Sequence, residues 1–104
     1  MLLSETTLPH YIVLVTLTEK GRQNFKQGWT KERPQVKAQV QNMGGKMKGY
    51  MTFGQYDVVE YLELPDDKAA ALFATMAGAT GLVKTVTLKA FSEDEVDQMV
   101  QELP

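Results

Sequence analysis

The sequence predicts an α+β fold: a four-stranded antiparallel sheet with two helices on one face and an extra helix at the C-terminus. Three observations lead there. Segments rich in β-branched and aromatic residues recur along the chain, helical stripes with capping residues lie between them, and glycines stand at several of the turns, as at Gly44-Gly45, Gly54 and Gly81. The 104 residues and 11.6 kDa allow one domain, with no repeat, low-complexity stretch or linker to divide it.

The first segment, His10 to Leu17, is apolar on both parities, as expected of a central strand covered on both faces. Thr18 then offers a side-chain oxygen ahead of Glu19, Lys20 and Gly21, and Phe25 and Trp29 follow at i, i+4 spacing, so a helix starts there. Gly28 and Pro34 interrupt it, because proline inside a helix costs about 3 kcal/mol; two shorter helices are expected, with Pro34 near the start of the second. Val36, Val40 and Met43 continue the stripe to Gly44 and Gly45, a glycine C-cap.

Lys46 to Phe53 alternates as a strand, Gly54 and Gln55 make a short turn, and Tyr56 to Leu64 returns as the second arm of a hairpin. Pro65, Asp66 and Asp67 open a helix filled by Ala69 to Ala79 and closed by Gly78 and Gly81. Leu82 to Phe91 is a fourth strand. Ser92 and Glu95 form a capping box before the short stripe Val96, Met99, Val100 and Leu103. The order βαββαβ is that of the split βαβ, or ferredoxin-like, arrangement.

One sheet face should pack under the helices through Met47, Met51, Phe53, Val58, Leu62 and Leu64. The opposite parity, read as Tyr50, Thr52, Val59, Tyr61, Thr85 and Thr87, is too apolar for a solvated face. A second copy packed sheet to sheet would cover it, and a domain this small gains stability from such a partner. A homo-oligomer, most simply a dimer, is therefore expected.

Composition narrows the function classes. The absence of cysteine removes disulfides, thiolate metal sites and cysteine nucleophiles, and fits the cytoplasm. No apolar run, Tyr11 to Val15 included, approaches the roughly 20 residues of a membrane span, and Met1 to Pro9 lacks the features of a signal peptide. Charge is uneven: Lys20 to Lys48 holds eight basic residues and one acid, whereas Asp57 to Pro104 holds ten acids and three basic residues. That polarity suits a solvated helix face, the steering of an anionic ligand, or the meeting of opposite patches between subunits. A pI near 5.3 without an aromatic-basic motif argues against nucleic acid.

The run Gly54-Gln55-Tyr56-Asp57-Val58-Val59, followed by Leu64-Pro65-Asp66-Asp67, resembles the bacterial GYD family, as do Met43-Gly44-Gly45-Lys46 and Gly81-Leu82-Val83-Lys84-Thr85. The likeness covers His10 to Phe91. It leaves residues 1–9 as an N-terminal extension and 92–104 as a C-terminal helix outside a domain of 10–91. The resemblance implies a dimeric α/β barrel. A weaker likeness, to the effector domains of leucine-responsive transcription regulators, implies an amino-acid site between subunits, without the DNA-binding half.

No motif specifies a reaction, a cofactor or a metal. The candidate ligand-binding residues are His10, Arg33, Tyr50, Gly54, Tyr56, Asp57 and Tyr61, with Arg33 as the partner for an anion and His10 and Asp57 as the proton-transfer candidates. Trp29 is a third aromatic that fits a pocket wall beside Tyr50 and Tyr61. The structural alternatives are a surface histidine, a turn glycine, an aspartate bonding turn amides, and core positions for Tyr50, Tyr61 and Trp29. Glu93, Asp94 and Glu95 are explained by the helix dipole rather than a cation site. Glu60 shares parity with apolar neighbours, and is expected to be displaced by a bulge or satisfied at an edge, the alternative being a buried carboxylate of raised pKa.

Three functions fit: a module that binds or senses a small organic molecule between sheet and helices, an enzyme resembling the cofactor-independent monooxygenases and isomerases of the same barrel architecture, or a purely structural oligomer. The first needs a pocket of roughly 300 Å³ or more.

Overall fold

The computed structural model describes residues 8–104; of the N-terminal extension read over residues 1–9, residues 1–7 lie outside it. Strand β1 (His10–Leu17) runs between β3 (Val58–Glu63) and β4 (Val83–Ala90), and β2 (Lys46–Met51) pairs with the outer side of β3. The order β2-β3-β1-β4 is antiparallel throughout, the ferredoxin-like arrangement. The two strands with alternating buried positions, β1 and β3, thus take the centre, where both faces need cover.

The register divides the sheet into two faces. Tyr11, Val13, Val15 and Leu17 share a face with Met47, Gly49 and Met51, with Val58, Glu60 and Leu62, and with Val83, Thr85, Thr87 and Lys89. The helical segments within residues 19–42 and 67–79 cover this face, and the core lies between them and the sheet: Val13, Val40, Leu62 and Leu64 are fully buried with Tyr11, Phe73 and Ala70 around them. Each large apolar side chain withdrawn from water there stabilises the fold by about 1.5–3 kcal/mol.

Thr85 and Thr87 therefore lie on the helix side, against the sequence expectation, and the open face of β4 is Val86 and Leu88. Threonine and valine fit either side of a strand, so only pairing with Val15 and Val13 of β1 decides their direction. Phe53 is also not under the helices. β2 ends at Met51, and Phe53 stands fully exposed in the connection to β3.

Helix starts follow their caps. Thr18 accepts from the Gly21 amide at the head of α1 (Glu19–Gln23), and Asp66 accepts from the Ala69 amide at the head of α4 (Asp67–Ala79). In α5 (Glu93–Gln101) Ser92 and Glu95 complete the capping box; each such cap contributes about 1 kcal/mol. The interruption expected at Gly28 and Pro34 takes a particular form. After α2 (Phe25–Gln27) comes one turn of π-helix, Gly28–Glu32, and then α3 (Arg33–Asn42) with Pro34 in its first turn. The Arg33 amide donates to the Gly28 carbonyl five residues back, and Pro34 has no N–H to restore the regular pattern. Gly44 and Gly81 take positive φ at the ends of α3 and α4.

Candidate functional site

The helices do not close over the sheet at the end where β1 leaves it. There, α1, α2 and the π-turn stand on one side and the last turns of α4 on the other. Between them lies a cavity of about 160 Å³. Its walls are apolar, among them Phe25, Val36, Met47, Val58, Phe73 and Ala77. Trp29 sits at the rim, 36 % exposed, with its ring 5.7 Å from that of Phe25. It is not the core residue that its spacing suggested.

One wall is polar. Glu60 is 5 % exposed yet projects from the centre of β3 onto the helix face, in unbroken register opposite Val13 and Gly49. No bulge displaces it. Arg33, at the start of α3, meets it in a fork-to-fork pair, with Nη2 donating to Oε1 at 2.8 Å and Nη1 to Oε2. A buried carboxylate stays tolerable when both oxygens are engaged by a cation. The Trp29 ring lies 4.4 Å from Arg33 Cζ and covers one side of the guanidinium.

Gly49 makes the pair possible. A β-carbon there would lie 2.2 Å from Glu60 Oε1 and 2.3 Å from Arg33 Nη2, distances that no side chain can occupy. The sequence signal was present, a glycine within a strand segment where close approach of another group is a standard cause, but it names no partner. The π-turn is the second contributor, since its extra residue re-aims the helix between Trp29 and Arg33.

Of the candidate ligand-binding residues, the cavity takes only Arg33, beside Trp29 and Glu60. That residue is not a free anion partner, because its two Nη atoms already bind Glu60. His10, Tyr50 and Tyr61 project from the opposite face of the sheet. His10 stacks on Tyr61 with ring centroids 5.7 Å apart, and its Nδ1 lies 2.5 Å from the Tyr61 hydroxyl. Its Nε2, 3.6 Å from Glu95 at the start of α5, is buried without a hydrogen bond. Burial, then the charge of Glu63, raises the Tyr61 pKa. The Ser92 backbone amide is the main cause that lowers that of Glu95. Tyr50 is exposed rather than core.

Gly54, Tyr56 and Asp57 belong to the β2–β3 connection. Gly54 has φ of 122° in open space, which is the turn role. The Tyr56 carbonyl accepts from the Thr52 hydroxyl. Asp57 Oδ2 accepts from the Leu17 amide at 2.8 Å and the Asp57 amide donates to Val15, so this residue ties the connection to the end of β1. Asp57 also borders a neighbouring depression with Arg22, Met51 and Thr52, which shares Leu17 and Phe25 with the cavity. Sequence reasoning missed Gly49, Phe73 and Ala77 altogether. Among the described residues, no group of three or more acidic or histidine side chains is placed to hold a metal ion, and no helix is long and apolar enough to cross a membrane.

The sheet order, the two helical segments on one face and the cleft beneath them define a ferredoxin-like α+β domain. The family model of the GYD domain matches residues 11–100, and the chain belongs to that family. The matched span runs beyond β4 into α5. Comparison with curated proteins and with solved structures returned no match.

Proposed function

We propose that this GYD domain is a small-molecule-binding module of the cytoplasm, in which two copies pack sheet to sheet as an α/β barrel and each holds a ligand between its sheet and helices. The observation that carries the reading is the apolar cavity bounded by the buried Arg33–Glu60 pair. Few, well-placed polar groups in an apolar cleft are the usual make-up of a small-molecule site. At about 160 Å³ it is about half the size expected from the sequence and comparable with apolar cavities of about 150 Å³ that admit benzene, so the ligand is a single ring.

Dimerisation leaves this site open. The proposed contact uses Ile12, Leu14, Val59, Val86 and Leu88 on the far side of the sheet, so sheet packing does not fill the cavity, as a purely structural role would have it. Binding is favoured over proton-transfer catalysis because His10 is on that far face and the Asp57 carboxylate holds a backbone amide.

The test uses the chain's single tryptophan, which stands at the rim. Titration with cyclohexanol, a single ring that is transparent at the excitation wavelength, should change Trp29 emission saturably. Ala77→Phe, which places a ring in the cavity, should abolish the change while leaving the far-UV dichroism intact. A response that never saturates, or that survives the filled cavity, refutes the reading.

A further inference from the structure

The polar wall of the cavity also selects among single-ring ligands. Resting on the binding reading above, we infer that the ligand is neutral and carries a carbonyl or hydroxyl oxygen that accepts a hydrogen bond from Arg33.

A guanidinium has five N–H groups in one plane. Two of those on Arg33 go to Glu60, and among the described residues the other three have no protein acceptor. Trp29 covers one side of the plane, which leaves approach along the in-plane N–H directions. The Arg33 side chain is 15 % exposed, so water is the partner left to these donors. A hydrocarbon ring that displaced that water would leave them unsatisfied, the costly outcome for a buried polar group. A ligand oxygen in their plane restores what the water supplied.

A carboxylate ligand meets a different obstacle. Glu60 already neutralises Arg33, so the wall has no net charge to offer an anion. A second carboxylate would lose its hydration and share one cation with Glu60, and Glu32 lines the same cavity. The other cations nearby do not help: Lys20, Lys26, Lys31 and Lys37 are exposed, Arg22 Nη1 donates to the Leu17 carbonyl in the neighbouring depression, and none of them lines the cavity. A neutral ketone, aldehyde or alcohol gains the hydrogen bond without an unpaired charge.

The experiment compares four probes of similar size on the intact protein by calorimetry and ligand-observed NMR: toluene, benzyl alcohol, cyclohexanone and benzoate. Benzyl alcohol and cyclohexanone should each bind at least tenfold more tightly than toluene and benzoate. In Glu60→Gln the amide keeps the shape but frees the Arg33 charge, and benzoate should become the tightest of the four. Benzoate binding best to the unaltered protein, or toluene matching benzyl alcohol, overturns the inference while leaving the cavity a binding site. Failure of all four probes to bind removes both this inference and the binding reading. If Glu60→Gln does not fold, the ranking on the unaltered protein decides alone.

Discussion

Gly49 and Glu60 stand directly opposite each other on neighbouring strands, and the missing side chain of the first is the space into which the carboxylate of the second is drawn beside Arg33. A residue with no functional group thus sets the polar chemistry of the cavity. Any side chain at position 49 would force the ion pair to shift.

Gly49→Ala is expected to destabilise the protein by about 1–3 kcal/mol, the range for overpacking a closed site, although alanine is otherwise the more stable residue in a strand. Urea midpoints at constant slope measure the change. A neutral or stabilising result would show that Glu60 and Arg33 move aside without cost.

Glu60→Ala should cost about 3 kcal/mol, because it leaves the mostly buried Arg33 without its counter-charge. Replacing both residues with methionine should cost much less, since the desolvated charges disappear together. The coupling energy of the double-mutant cycle reports the pair; additive single effects would mean that the two side chains act independently.

Stability at high pH depends on Tyr11. Burial, and then the hydrogen bond to Asp67 at 2.5 Å, push its phenol from 10.0 up to about 12. Between these values the folded protein keeps a proton that the unfolded chain has lost, so this contribution is complete below pH 10 and disappears as pH rises towards 12. Denaturation midpoints followed from pH 9 to 12 should fall less steeply in Tyr11→Phe than in the unaltered protein. Parallel profiles would show that another group governs the loss.

Leu88→Glu introduces a carboxylate on the open face of β4, where Val86 and Leu88 are 48 % and 45 % exposed. If that face joins two copies, the substitution should weaken the dimer about 30-fold or more, the effect of losing a contact worth about 2 kcal/mol. Sedimentation at several concentrations measures it, and the cavity's affinity for cyclohexanone should not change. An unaltered protein that sediments as a monomer at every concentration would refute the assembly.

Most elements were legible in the sequence because their signals are local. Thr18, Asp66 and the Ser92–Glu95 box each act within one helical turn, and Gly44 and Gly81 end helices through their own backbone. The site was legible only in part. Glu60 stood out as a charge on an apolar parity, but its partner lies 27 residues away in another element. No spacing rule connects two such positions. His10, Tyr50 and Tyr61 looked like cleft residues because their chemistry is useful; strand parity, which puts them on the other face, was available for Tyr50 and Tyr61 and was outweighed by that chemistry.

The sequence by itself determined the order of strands and helices, the ends of most of them, the family and the apolar character of both sheet faces, because each depends on residues close together along the chain. Tertiary structure alone decided the direction of β4, the pairing of Arg33 with Glu60 and the position of the cavity. These depend on register between strands and on which distant side chains share one small volume, where the buried charge is met by Arg33 and Gly49 gives the pair room.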